Sequence, residues 1–463
     1  MKLTKIAVLF AAAGLSASAL ATDGYFAHGY GMTAKGMGGA ATAMDKDSFG
    51  GANNPASMVW AGDRLDVGVD LFSPKRAAER TGSLAGINGS ADSGSNLFEI
   101  PEFGYNKMMG WDMSAGVTVY GNGGMNTNYP GGQLAGGPGT VCNSFNPGTA
   151  ATRYNLLCGN GDLGVNLVQL IVAPTFAMKV NKNNSFGASF LIGYQQFGAR
   201  GLQGFVGFSP NPATGGSSLT NVGYDSSNGY GLRLGWMGRV SDTVTLGAAY
   251  ATKMKMGRFD KYRDLFAGQG GFDIPENLNL GVSFKASPTV TIAADYQRIN
   301  YSSINSVGNA STINSAFPGS AVPPAPPGTV GSLGCGTCRG FGWANVGVFK
   351  LGAEYQYSPN LILRAGYNHS DNPIQARDVT FNILAPGVVQ DHFTLGFTYS
   401  LSKNSDLTMA YMHASEKSVT GSSLYNNWVT STGGAPGGVG IAGTETIRMY
   451  QNSLGIAYGM KFQ

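Results

Sequence analysis

The sequence has little charge and no long apolar run, and each shortage excludes a class of protein. Asp, Glu, Lys and Arg make up 12% of the 463 residues, which is low for a soluble globular chain. The net charge of +4 is spread along the chain without a basic tract, so we expect no nucleic-acid partner. No segment has the ~20 consecutive apolar residues that a membrane-spanning helix needs, so we expect no such helix.

The chain also lacks the residue patterns of common hydrolases and metal centres. Its histidines, His28, His369, His392 and His413, are far apart in the sequence, and a lone histidine is more often structural than a ligand. The sequence contains no HExxH motif and no nucleophile elbow followed by an acid and a histidine. We therefore expect no enzyme, no bound metal and no other cofactor.

The N-terminus has the three parts of a secretory signal. Two lysines precede a short apolar core, and Ala19-Leu20-Ala21 is a small-x-small cleavage site. The apolar core is too short to cross a bilayer as a helix. We predict a signal peptide at residues 1–21, a mature chain that begins at Thr22, and export into an oxidising compartment.

Only four cysteines occur, and we place all of them in long loops: Cys142, Cys158, Cys335 and Cys338. Disulfides are the default in an oxidising compartment. The spacing Cys335-Gly-Thr-Cys338 also occurs in redox motifs, but no βαβ pattern surrounds it here. We favour disulfides, with Cys142–Cys158 and Cys335–Cys338 as the simplest pairing, although the sequence leaves the pairing open.

Glycine, aromatic residues and alternation are what the chain has in abundance. It contains 71 Gly, 21 Tyr and 24 Phe, and apolar residues alternate with small or polar ones through fourteen segments. Short turns alternate with long connections between these segments, as in outer-membrane barrels. Backbone groups in lipid must all be paired, so the sheet has to close. The predicted fold class is all-β, a 14-stranded antiparallel transmembrane β-barrel.

A Gly-rich stretch that ends in Asn54-Pro55-Ala56 precedes the first predicted strand. Together with the strand count, this stretch resembles the FadL/TodX (OMPP1) family of outer-membrane transporters for hydrophobic compounds. The resemblance implies an N-terminal hatch (plug) at residues 22–60 with its NPA box, inside a β-barrel at residues 61–463. It also implies location in the bacterial outer membrane, as a monomer in contact with lipid and lipopolysaccharide.

The resemblance implies a passive transport route for a hydrophobic small-molecule ligand. An external loop groove would capture the cargo, a lumenal pocket would receive it, and a bent third strand would open a lateral exit. Gly121, Gly123 and Gly124 resemble that bend, and the start of a flexible loop is the alternative. Long-chain fatty acids are the expected cargo. Monoaromatic hydrocarbons are the alternative, and a general porin or a structural barrel is favoured less.

The resemblance also suggests a gate at the start of the hatch. A small shift of residues 22–26, which include Thr22, Tyr25 and Phe26, is expected to open the path. In the NPA box, the amide of Asn54 can bond neighbouring backbone, and Pro55 fixes φ. An ordinary Asn-Pro turn before the first strand is the alternative for this tripeptide.

The candidate ligand-binding residues are two lysines on the predicted seventh strand and four loop phenylalanines: Lys253, Lys255, Phe205, Phe208, Phe259 and Phe266. If apolar strand positions face lipid, both lysines face the lumen, where an ammonium could hold a carboxylate. The alternative for lumenal basic residues is an interior salt bridge, for example Arg364 with Glu354. The phenylalanines are expected to form a capture surface or to pack against one another.

Overall fold

The computed structural model of the protein describes residues 22–137, 140–145, 152–209, 217–311, 333–426 and 442–462. The predicted signal peptide lies outside these ranges. No helix within the described ranges has the length and the apolar character needed to cross a bilayer.

Fourteen antiparallel strands form a closed barrel, so the predicted fold class is confirmed. The strands are β1 (Arg64–Thr81), β2 (Phe98–Met108), β3 (Met113–Asn126), β4 (Gly164–Lys179), β5 (Asn184–Arg200), β6 (Asp225–Arg239), β7 (Val244–Ala251), β8 (Asn277–Ser287), β9 (Val290–Ile299), β10 (Val346–Ser358), β11 (Leu361–Ser370), β12 (Asp391–Ser402), β13 (Ser405–Ser422) and β14 (Thr444–Lys461). Consecutive strands pair, and β14 closes the barrel against β1, from Arg64 opposite Lys461 to Thr81 opposite Thr444.

The alternation of the sequence sets the two faces of the wall. On β14, Leu454, Ile456 and Tyr458 are 41–47% exposed and point outward, whereas Ser453 and Ala457 are buried inside. Successive side chains of a strand point to opposite faces, so an apolar outer face and a small or polar inner face follow directly. The strands are joined by short turns at one end of the barrel and by long loops at the other, which we call the turn end and the loop end.

Short elements lie in the loops and in the lumen. Four short strand segments pair outside the regular ladder: Gly89–Asp92 with β1, Leu134–Ala135 with Arg153–Tyr154, and Lys255–Met256 with β6. The helices are α1 (Met32–Gly36), α2 (Met58–Ala61), α3 (Val141–Phe145), α4 (Ala267–Gly270), α5 (Asn305–Gly308) and α6 (Val379–Asn382). The 3₁₀ turns are Pro55–Ser57, Gln203–Phe208, Asp260–Tyr262, Tyr301–Ser303 and Ala376–Asp378. Disulfides link Cys142 to Cys158 and Cys335 to Cys338, both at the loop end.

Residues 22–60, which we call the hatch, lie inside the barrel with little regular structure, and polar groups of the wall bind their backbone. The Asp295 carboxylate accepts hydrogen bonds from the backbone N–H groups of Ala41 and Thr42, both at 2.8 Å. The Asp66 carboxylate accepts one from the N–H of Ser48 at 3.0 Å. Buried N–H groups outside helices and ladders need such partners, so inward-facing carboxylates on the wall hold the hatch in place.

The NPA box docks against two glycines of the wall. The Asn54 amide donates to two backbone carbonyls, one of the hatch at 2.7 Å and that of Trp236 on β6 at 3.0 Å. A Cβ on Gly235 would lie 2.0 Å from the Asn54 Oδ1, and one on Gly187 would lie 2.4 Å from the Pro55 carbonyl carbon. These two glycines are partners across β5 and β6. A side chain at either glycine would occupy the space in which the NPA box packs against the wall.

One buried lysine anchors α1 to the wall. The Lys35 ammonium lies 2.7 Å from the Asp70 carboxylate on β1 and 3.9 Å from the Glu102 carboxylate on β2. None of the three side chains is more than 5% exposed. Removing one member of a buried ion pair leaves the other charge uncompensated, so this contact controls how firmly α1 is seated.

We predict that Lys35→Met loosens the hatch without opening the barrel. Two buried carboxylates would lose their counter-ion, at a cost of about 3–5 kcal/mol. The amide hydrogens of residues 32–42 should then exchange about two to four powers of ten faster, while the strand amides keep their protection. Lys107→Met is the control, because Lys107 forms its ion pair with Asp63 at the surface. Equal exchange in both variants would contradict the assignment.

Candidate functional site

A narrow apolar cavity lies at the loop end, where four loops meet the ends of β4 and β5. Phenylalanines dominate its lining, namely Phe197, Phe205, Phe266, Phe341 and Phe381. The cavity volume is about 40 Å³, and on the same measure one water molecule requires ~10–15 Å³. The cavity is therefore suited to a slender apolar group.

Arg339 is the one charged residue among the described residues that line this cavity. Its side chain is buried, its guanidinium donates to the Ser311 carbonyl and lies over the Phe208 ring, with 5.1 Å from Cζ to the ring centroid. Burial lowers the pKa of Arg339 to about 10, so the guanidinium stays charged at neutral pH. The sequence interpretation missed Arg339, because it lies in a loop where strand alternation assigns no direction to a side chain.

The four candidate phenylalanines are buried rather than displayed at the surface. Phe205, Phe208, Phe259 and Phe266 are each at most 5% exposed, and the Phe259 and Phe266 rings are 6.0 Å apart. These contacts agree with mutual packing of the phenylalanines rather than with an exposed capture surface. Phe205 and Phe266 also line the cavity, Phe208 contacts Arg339, and Phe259 lies outside the lining.

The expectation that Lys253 and Lys255 face the lumen is wrong. Both side chains are exposed, and Lys255 is opposite Tyr230, whose ring is 59% exposed on the outer face. Met254 between them is buried. Strand β7 ends at Ala251, and the break at 252–254 shifts the alternation by one residue before Lys255 pairs again with β6. A one-residue shift moves every following side chain to the other face.

Two basic residues that do face the lumen, Arg364 and Lys350, have partners in the wall and in the hatch. The Arg364 guanidinium lies 2.9 Å from the Glu354 carboxylate, so the expected alternative of an interior salt bridge holds for this pair. Lys350 donates to the His28 carbonyl of the hatch at 2.8 Å. In the described ranges, no three His, Cys, Asp or Glu side chains are grouped so that they could hold a metal ion.

The start of the hatch is held by one tyrosine of the β9–β10 loop. The Tyr301 hydroxyl accepts hydrogen bonds from the N–H groups of Tyr25 and Phe26, both at 3.2 Å, and donates to the Asp23 carbonyl at 2.5 Å. The Thr22 hydroxyl closes the same turn by donating to the Phe26 carbonyl at 2.6 Å. One phenol thus makes three hydrogen bonds to the residues expected to form a gate.

Aromatic rings connect this turn to the cavity. The Phe266 ring, which lines the cavity, lies 5.0 Å from the Phe272 ring, and Phe272 lies 6.1 Å from the Tyr25 ring. Phe272 is fully buried. The first residues of the hatch are therefore separated from the cavity by one aromatic side chain.

Strand β3 leaves its neighbour β2 halfway along and pairs with the hatch instead. It pairs with β2 only between Ser114 and Val119, and its ladder with β4 has a bulge between Gly121 and Gly123. Beyond that point the N–H of Gly124 donates to the Tyr25 carbonyl at 3.2 Å. A Cβ on Gly123 would lie 1.7 Å from that carbonyl oxygen, so only glycine permits this approach. The three candidate glycines lie within a strand rather than at the start of a loop.

The departure of β3 leaves a gap in the hydrogen bonding of the wall, which we call the wall gap. Residues 98–102 of β2 have no partner on β3, and residues 73–76 of β1 have none on β2. Pro101 and Pro74 lie in these two stretches. Proline has no N–H to pair and is found at strand edges, so the two prolines are a signal in the sequence from which this gap could have been found.

Comparisons with known proteins agree with this architecture. The sequence profile of a family described as outer membrane protein transport protein (OMPP1/FadL/TodX) matches residues 141–436. No curated protein matches the chain by sequence. The solved structure of the toluene transporter TodX of Pseudomonas putida is similar with a TM-score of 0.65 and 18% identity, over 94% of this chain and 99% of that one.

Two further solved structures are similar over the same extent. The toluene transporter TbuX of Ralstonia pickettii has a TM-score of 0.59 and 19% identity, over 94% of this chain and 99% of that one. A FadL homologue of Pseudomonas aeruginosa has a TM-score of 0.59 and 14% identity, over 95% of this chain and 100% of that one. At these identities, the similarity concerns the fold.

We predict that Tyr301→Phe frees the first residues of the hatch while the barrel stays intact. The ring still packs, but two backbone N–H groups lose their acceptor. Since each such bond is worth about 1 kcal/mol, the amide hydrogens of Tyr25 and Phe26 should exchange roughly fivefold faster. Tyr296→Phe is the control, because that ring lies on the outer face of β9. Unchanged exchange at both amides would refute the role given to Tyr301.

Proposed function

Since this chain belongs to the OMPP1/FadL/TodX family of outer-membrane transport proteins for hydrophobic compounds, we propose that it is a passive uptake channel for long-chain fatty acids. The family consists of transport channels of the outer membrane rather than enzymes. We also propose the finer organisation, a hatch at residues 22–60 and a barrel at residues 61–463, acting as a monomer surrounded by lipid and lipopolysaccharide.

The observation that carries the choice of cargo is a buried guanidinium in an apolar cavity. A fatty acid has a carboxylate and a slender alkyl chain. Arg339 offers the carboxylate a charged donor with a planar fork, and the surrounding phenylalanines offer the chain apolar surface. Burial from water strengthens an interaction between charges, so Arg339 takes the role that we first gave to Lys253 and Lys255.

The proposed route begins at this cavity and ends at the wall gap. Movement of Phe272 and of the turn at residues 22–26 would connect the cavity to the bulge of β3. The same turn pairs with the freed edge of β3 through Tyr25. Its displacement would therefore open the path from the cavity and unblock the wall gap together, which supports lateral exit of the cargo into the membrane.

Uptake of monoaromatic hydrocarbons by the same route is the second candidate. Two of the similar solved structures are described as toluene transporters. The cavity itself supports this cargo, because it is narrow and five of its lining residues are phenylalanines, which would pack well against a single aromatic ring. A general porin is favoured less, since the hatch occupies the lumen.

We predict that Arg339→Met weakens capture of oleate and leaves that of toluene unchanged. A hydrogen bond to a charged group contributes about 1.5–3 kcal/mol, so the oleate concentration for half-maximal uptake should rise roughly tenfold or more. The measurement is uptake of the two labelled compounds by cells that lack other such transporters. Arg377→Met, an exposed arginine of a neighbouring loop, is the control. Uptake of toluene but not of oleate would favour the second candidate.

We predict that deletion of residues 22–26 changes uptake without unfolding the barrel. The deletion removes the turn that pairs with β3, so passage of oleate should become faster. Heat-modifiable migration in electrophoresis would check that the barrel is folded, and N-terminal sequencing would check the processing of the shortened chain. If the folded variant takes up oleate at the original rate, the turn is not a gate.

A further inference from the structure

Arg76 lies at the wall gap with its side chain inside the barrel. It belongs to the stretch of β1 that has no partner on β2, and it is 5% exposed. Its guanidinium donates to the Asn126 carbonyl on β3 and to the Ser95 carbonyl in the β1–β2 loop, and Cζ lies 5.6 Å from the centroid of the Phe98 ring. Arg76 thus spans the gap from β1 to β3.

Arg76 differs from the other inward-facing arginines of the same strand. The Arg64 guanidinium lies 2.6 Å from the Asp66 carboxylate, and that of Arg80 lies 2.5 Å from the Glu445 carboxylate. Arg76 forms no ion pair with any carboxylate of the described residues, and its Nε has no hydrogen-bond partner among them. A buried guanidinium with only carbonyl partners has unused capacity for an anion.

Other polar atoms near the gap are buried and also lack partners within the described ranges. They are Asn96 Oδ1, Asn126 Oδ1, Asn128 Oδ1 and Tyr129 Oη. The β1–β2 loop is tied to both sides of the gap, because the Ser93 N–H donates to the Arg76 carbonyl and the Ser93 hydroxyl accepts from the Asn128 N–H. Buried polar groups normally have hydrogen-bond partners, so this cluster is suited to binding a polar group of a ligand.

The position of Arg76 along the wall suits the head group of an amphiphile. Arg76 is twelve residues beyond Arg64, which at ~3.3 Å per residue and a tilt of ~40° places it roughly 30 Å above the turn end. The apolar band of such a barrel is about 25 Å tall. This estimate puts the guanidinium near the outer edge of such a band, and the unpaired residues 98–102 of β2 within it.

We propose that Arg76 binds the carboxylate of an amphiphile while its alkyl chain passes through the wall gap into the outer leaflet. The carboxylate would take the place of the two backbone carbonyls on the guanidinium and so release the loop that covers the gap. This inference rests on the proposed fatty-acid cargo. It gives the exit a chemical selectivity, since an uncharged cargo of the same shape would have nothing to exchange for those carbonyls.

The test compares uptake of oleate with that of methyl oleate, which has the same chain without the charge. In Arg76→Met, the ratio of the maximal rates, oleate over methyl oleate, should fall about tenfold or more. Arg76→Lys, which keeps the charge but loses the fork, should give an intermediate ratio. Arg448→Met is the matched control, because Arg448 lies opposite Ala77 at the same height and is half-exposed on the other face of the wall.

The outcomes separate this inference from the proposed function. If the unaltered protein does not take up oleate, the proposed function fails. If it does and the ratio in Arg76→Met equals that in Arg448→Met, the carboxylate site is refuted. A guanidinium that only held the loop or a lipid phosphate would alter both compounds alike and leave the ratio unchanged. Should Arg76→Met fail to fold, the same comparison with Arg76→Lys decides.

Discussion

Backbone N–H and C=O groups that lie in lipid or in a packed lumen must find partners within the protein, and the architecture depends on how this requirement is met. Most junctions between neighbouring strands meet it along long ladders, and the junction of β2 with β3 does so only in part. There the freed edge of β3 bonds Tyr25 of the hatch instead. The hatch therefore completes the wall as well as filling the lumen, and a shift of the hatch necessarily alters the wall.

The start of the hatch and the part that follows it differ in how many charged partners they have. From Lys35 to Ser48, the hatch is bound by carboxylates of the wall, with Asp70 and Asp295 as examples. At the first residues of the hatch, the ion pair with the wall is long, because Lys350 is 3.9 Å from Asp23. The neutral Tyr301 hydroxyl makes three hydrogen bonds to these residues. Neutral hydrogen bonds are weaker than charge-assisted ones, so we expect the beginning of the hatch to yield first.

The sequence was enough to predict the fold, because the alternation of a barrel strand is read directly from residues such as Leu454, Ile456 and Tyr458. The prediction of side-chain direction was wrong where a strand is irregular. Lys253 and Lys255 face outward because a break after Ala251 shifts the alternation, and no local feature of the sequence announces that shift. Arg339 lies in a loop and Arg76 at an interrupted ladder. Their roles depend on which segments meet in space, which periodicity does not specify.

The two buried guanidiniums suggest how a passive channel can keep an amphiphile in one orientation during its passage. Arg339 lies at the loop end among phenylalanines, and Arg76 lies beside the wall gap. A carboxylate transferred from the first to the second would remain at the level of the lipid head groups, while the alkyl chain swings into the leaflet. The charged group then never crosses the hydrocarbon, which is the costliest step for any fatty acid that enters a membrane.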